Sequence, residues 1–145
     1  MAAASSPLAG PAIALTQRIV VDWHSGLAIG GYDPVAFFTQ GKPAIGSGKF
    51  ELPYHGVVWR FCNPGNRAAF AERPDVYMPQ YGGYDPVAVA GGLAVAGNPD
   101  VWSIVDERLF LFYNPMQREK FLADPARFIA ISRRKWPEVM EGLDP

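Results

Sequence analysis

The sequence holds one cysteine, two histidines and almost no excess charge, and each shortage excludes something. A lone Cys62 cannot close an intramolecular disulfide and by itself reports no redox compartment. With His24 and His55 as the only imidazoles, soft ligands are too few for a closed structural zinc site, which takes four. Thirteen basic against fourteen acidic residues leave a net charge of −1, so the electrostatic footprint of a nucleic-acid binder is missing. The short run Arg133-Arg134-Lys135 reads as a solvated helix end. No stretch of about 18 apolar residues occurs, which argues against insertion of a helix into a membrane. Gly46-Ser47-Gly48-Lys49 misses the spacing of a phosphate-binding loop. Neither histidine has a nucleophile partner in the pattern, so no catalytic constellation is legible and the chain is expected not to be an enzyme. Met78, Met116 and Met140 are too dispersed for a thioether copper site.

What the chain does hold is a repeat. Gly30-Gly31-Tyr32-Asp33-Pro34-Val35-Ala36 returns, all seven residues, as Gly82-Gly83-Tyr84-Asp85-Pro86-Val87-Ala88. Phe61 to Phe70 and Phe112 to Phe121 both read F-x-N-P-x-x-R-x-x-F, and Pro74 and Tyr77 answer Pro125 and Phe128. Two motifs in one order at nearly one offset mark a tandem duplication with a period of about 50 residues. A unit that small is marginal alone, so the halves are expected to share a core. The 49% hydrophobic content, with nine Phe, six Tyr and four Trp, supplies the apolar area.

Residues 1–17 are expected to form a disordered tail. Ala12-Ile13-Ala14 looks like a cleavage site, but no basic segment precedes it and Pro7 and Pro11 interrupt the apolar stretch. The expected compartment is the cytoplasm, with the periplasm as the alternative if the tail is a truncated or atypical export signal. Residues 18–145 are then one compact domain, with repeat one over about 27–79 and repeat two over about 80–137. Arg18 to Asp22 is β-branched and predicts a short strand. Asp33-Pro34 predicts an N-cap and first helical residue, with a short helix to about Phe38. Phe50 to Leu52 and Val57 to Cys62 predict a hairpin turning at His55-Gly56, and Asn63-Pro64 a helix to about Glu72. Pro74 to Tyr77 predicts a helical turn. The second unit predicts a helix from Asp85-Pro86, a hairpin over Val101 to Tyr113 turning at Asp106-Glu107, and helices from Asn114-Pro115 and Asp124-Pro125. The last is expected to stop at Pro137.

Asp33-Pro34-Val35, Tyr54-His55-Gly56-Val57-Val58-Trp59-Arg60-Phe61-Cys62, Phe70 and Pro74-Asp75-Val76-Tyr77 resemble a YHS domain, a short module similar to treble-clef and TRASH-type metal-binding folds. Pro79-Gln80-Tyr81-Gly82-Gly83-Tyr84 and Trp136-Pro137 extend the likeness to the bacterial tandem-type YHS proteins of about 150 residues. The resemblance covers roughly Leu27 to Pro137. It implies an α+β fold of two repeats, each a short helix, a β-hairpin and a helix, packed as a pseudo-dimer. It also implies heavy-metal handling, through cysteines that would fall at 36, 62 and 66 and, in the second half, at 88, 113 and 117. This chain has Ala36, Cys62 and Asn66 there, then Ala88, Tyr113 and Gln117. The expectation is therefore a small non-catalytic binding protein descended from a metal-handling module.

Three sets of candidate residues follow. Cys62 precedes a helix N-terminus, which lowers a thiol pKa, while the same position suits a small buried residue. Paired with His55 it is the candidate ligand set for copper or zinc, the only cofactor the sequence suggests. His24 gains no support from spacing. Tyr32, Asp33, Tyr84 and Asp85 form the candidate ligand-binding set, on the expectation that two identical loops converge; helix capping is the competing role for both aspartates. The partners considered are a small ligand or metal ion, and beyond those a protein partner or a second copy.

Overall fold

The computed structural model describes residues 18–144. The expected tail lies outside them. Among the described residues the fold is mixed α+β, with six α-helices and two two-stranded antiparallel sheets. A 3-10 turn at Ile29–Gly31 leads to α1 (Ala36–Thr39), β1 (Ser47–Tyr54), β2 (Val57–Phe61), α2 (Pro64–Glu72) and α3 (Pro74–Tyr77). A second series runs in the same order: a 3-10 turn at Gln80–Gly83, α4 (Pro86–Ala90), β3 (Asn98–Val105), β4 (Arg108–Phe112), α5 (Pro115–Ala123) and α6 (Pro125–Glu141). No described helix is long and apolar enough to cross a membrane.

Local chemistry explains most boundaries. Asn63 and Asn114 each accept the backbone N–H three residues on (Asn66 at 2.7 Å, Gln117 at 2.9 Å), and proline follows each cap where its missing donor costs nothing. Asp124 caps α6 in the same way through the Arg127 N–H. The hairpins turn through His55-Gly56 and Asp106-Glu107, all four residues at positive φ, as a two-residue turn matching the strand twist requires. Each long strand carries a register break, between Ser47 and Glu51 in β1 and between Asn98 and Trp102 in β3.

Two expectations fail. Residues 18–22 form no strand; Val21 makes an isolated bridge to Ala28, and the segment is instead a thread between the two Gly-Gly loops. Val20 N–H donates to the Gly82 carbonyl at 2.8 Å, and the Val20 carbonyl accepts from Ile29 N–H at 2.8 Å. With its hydrogen bonds taken by loops on either side, the thread has no sheet to join. Gly82 must be glycine for this: its φ is +63°, and a Cβ would collide with the Arg18 carbonyl. The last helix also runs through Pro137 to Glu141. Trp136 and Val139 flank the proline and pack on the second core cluster, so apolar burial carries the helix past a residue that removes one hydrogen bond.

The core joins the two series unequally. β2 buries only Val57, Trp59 and Phe61 and leaves Val58 and Arg60 half-buried, the alternation of a strand covered on one face. In β4, Leu109, Phe110, Leu111 and Phe112 are all at most 1% exposed. Leu109 and Leu111 enter the cluster of Trp59, Phe61 and Phe70, whereas Phe110 and Phe112 enter the cluster of Phe121, Tyr84 and Val89. Successive side chains point to opposite faces, so β4 is a shared wall between two apolar clusters. On the first cluster's side of that wall, the Phe37 ring meets Trp102 of β3 edge-on at 5.3 Å.

Arg60 and Leu111 occupy matching places in β2 and β4, and the packing assigns them very different weights. Leu111→Ala is expected to cost about 2–5 kcal/mol by opening a cavity. Arg60→Ala, which loses a half-exposed ion pair with Glu51 at 2.7 Å, is expected to cost roughly 0–1 kcal/mol. Urea unfolding of the two variants checks this; equal losses would contradict the shared-wall description.

Candidate functional site

Asp33 and Asp85 are both fully buried. Each carboxylate works in two directions. Asp33 Oδ1 accepts the Val35 and Ala36 N–H groups at 2.8 and 3.3 Å, starting α1. Its Oδ2 accepts the Cys62 N–H at 2.7 Å and the Asn66 side-chain amide at 2.8 Å, catching the end of β2 and the first turn of α2. Asp85 Oδ1 likewise accepts Val87 and Ala88 N–H at 2.7 and 3.1 Å, and its Oδ2 accepts Tyr113 N–H at 2.8 Å. Each carboxylate is thus bound into its own half. A buried anion is tolerated only with such donors, because desolvation otherwise makes it prohibitive.

The Val20 backbone separates the two Gly-Gly-Tyr-Asp loops, bonded to Gly82 on one side and to Ile29, ahead of the first loop, on the other, and a Cβ on Gly83 would stand 3.2 Å from Ile29 Cγ2. The phenols diverge in environment. Tyr32 is half-buried, and burial, then the charge of Asp100 and a hydrogen bond with it, push its pKa up. Tyr84 is buried, and that burial pushes its phenol up to about 12. The Tyr84 ring stands 6.1 Å from that of Trp136.

Cys62 and His55 stand at opposite ends of β2, a strand of roughly 13 Å at about 3.3 Å per residue. The structure does not bring them together. His55 is exposed at the hairpin turn with its ring against Tyr54 at 4.3 Å. His24 is exposed and lies against Trp23 at 3.9 Å. Among the described residues no group of three or more His, Cys, Asp or Glu side chains is placed to hold a metal ion. Cys62 is half-buried, its Sγ 3.5 Å from the Ile45 carbonyl. Its thiol pKa is raised, not lowered: burial acts first, and the Asp33 charge and hydrogen bond add to it. Burial, with the Asp33 carboxylate added to it, outweighs the helix N-terminus, which agrees with the reading of Cys62 as a packed small residue.

A groove of about 630 Å³ was not foreseen from the sequence. Arg18 and Ile19 of the thread, His55 and Gly56 of the first hairpin turn, Met78 to Gly82, and Arg133, Trp136 and Met140 of α6 line it. Its apolar wall is built around Trp136, whose ring lies 5.6 Å from Tyr81. Tyr81 is held at φ +58°, an uncommon conformation for a bulky side chain, and its hydroxyl is hydrogen-bonded to that of buried Ser132. One signal was available. Pro79-Gln80-Tyr81 precedes the second Gly-Gly pair where Leu27-Ala28-Ile29 precedes the first, so the repeat is broken where the groove is built. No protein-family model, curated protein or solved structure matches the chain.

The raised thiol pKa has a kinetic consequence. With less thiolate at neutral pH, native Cys62 is expected to alkylate more slowly than after unfolding, with a rate-versus-pH midpoint above the ordinary thiol value of about 8.5. Fast native alkylation with a midpoint below that value would contradict this assignment.

Proposed function

We propose that this chain is a non-catalytic, small-ligand-binding protein composed of two YHS-like modules, and that its ligand seat is the groove beside Tyr81 and Trp136. The groove is the observation that carries the reading. Its volume lies within the roughly 300–1,000 Å³ typical of small-molecule sites, and an aromatic and aliphatic wall with few polar groups is the usual construction of such sites. The tandem-module part of the reading draws on the sequence echo and on hydrogen bonds that echo with it. Asp33 N–H donates to Ala44 and Asp85 N–H to Val95, both at 2.8 Å; Gly46 N–H donates to Gly31 and Gly97 N–H to Gly83, at 2.8 and 2.9 Å.

The same comparison favours ligand binding over metal handling. Of the three first-half positions where the family resemblance places cysteines, only 62 carries a thiol, and Asn66 spends its amide on Asp33. In the second half, the Tyr113 and Gln117 backbones are engaged by Asp85 and Asn114. Hydrogen bonds to a buried carboxylate thus tie strand end to helix start, the joint that a metal serves in a module stabilised by one. The second apolar cluster supplies the remaining stability.

Nile red, a neutral apolar dye, is the direct probe. It is expected to bind the native protein with one-to-one stoichiometry and a blue-shifted emission, and Met140→Arg, which places a charge in the groove wall, is expected to weaken it about tenfold or more. Absence of saturable binding to the folded wild type would overturn the proposal.

A further inference from the structure

Resting on that reading of the groove, we infer that its ligand is an amphipathic monoanion, a carboxylate on an apolar body, anchored by the Arg18 guanidinium. The titratable groups lining the groove are Arg18, His55, Asp75, Tyr81 and Arg133. The one acid among them is already taken: Asp75 receives Arg73 Nε and an Arg73 terminal nitrogen at 3.2 and 3.1 Å. Two guanidinium groups remain facing an apolar wall.

Arg18 is the more telling of the two. Its Nε is buried and has no hydrogen-bond partner among the described residues. A buried donor on a charged group left unpaired is costly, and native structures rarely tolerate one without a reason. The thread pins the residue in place, with Arg18 N–H donating to the Asp144 carbonyl at 3.1 Å and the Val20 N–H to Gly82 two residues on. A guanidinium with an unpaired Nε in the lining of an apolar groove makes a site for an oxyanion, and the planar fork suits a carboxylate in particular. Arg133 lies on the same side: burial raises the Tyr81 phenol pKa, and the Ser132 hydrogen bond and then the Arg133 charge oppose that rise. The wall made by Ile19, Met78, Trp136 and Met140 offers the rest of the groove to an alkyl or aryl body, with methionines that adapt to irregular shapes.

The test compares decanoate with decanol, equal in chain length and different in charge, by calorimetric titration, with the Trp136 indole N–H resonance reporting the location. The expected result is that decanoate binds about tenfold or more tightly than decanol to the wild type. In Arg18→Gln that preference is expected to vanish while decanol binding stays. Decanoate and decanol binding equally to the wild type would overturn the anionic class and leave groove binding standing. Neither ligand binding, in a protein that also fails to bind Nile red, would overturn both. A decanoate preference that survives in Arg18→Gln would remove Arg18 as the anchor, and the wild-type pair decides the ligand class even where that variant does not fold.

Discussion

A buried carboxylate that begins a helix with one oxygen and holds the end of a hairpin with the other is the constraint on which each half of this molecule depends. Asp33 does this for α1 and β2, Asp85 for α4 and β4. The helices involved are only four and five residues long, too short to persist through their own hydrogen bonds. The strands belong to isolated two-stranded sheets, which are also marginal alone. One charged group in contact with both converts two weak elements into one joint. The charge-assisted bonds offset the burial of the anion, and the proline after each aspartate lowers the entropy cost of starting the helix.

Once the joints are made, the halves diverge in what they pack. Arg60 on β2 keeps one face of the first hairpin near solvent, where it pairs with Glu51. Leu111 at the matching place on β4 turns the second hairpin into a wall with apolar side chains on both sides. Recurring sequence motifs therefore do not give two equivalent surfaces. The groove shows the same departure. It lies where Tyr81 replaces the aliphatic Ile29 ahead of the second Gly-Gly pair, and where α6, seventeen residues against the four of α3, extends far enough to present Trp136 and Met140.

Much of the local structure was legible because it is governed by neighbours in the chain. The Asn63-Pro64 and Asn114-Pro115 helix starts, the two hairpin turns and the Asp85 cap follow from residues within three or four positions, whereas α1 starts at Ala36, two residues past the expected Pro34. The second use of each carboxylate was not legible, since Cys62 lies 29 residues from Asp33 and Tyr113 lies 28 from Asp85. Of the two readings open for the Cys62 thiol, burial decides against activation by the helix N-terminus, and the anion that folding brings beside it adds to that. The groove was hidden for the same reason: residues 18, 55, 78–82 and 133–140 are far apart in the chain and meet only in three dimensions. Val20, read as part of a strand, shows the limit of propensity when loops on both sides claim its hydrogen bonds.

The most direct measurement of the central joint is amide hydrogen exchange at Cys62 and Tyr113. Both residues lie just past the ends of their strands, where an ordinary loop amide exchanges quickly. The account predicts that these two N–H groups, donating to buried carboxylates at 2.7 and 2.8 Å, are protected to the level of the β2 and β4 core and open only with global unfolding. Exchange at the rate of an exposed loop at either position would contradict the claim that Asp33 and Asp85 each hold their own half together.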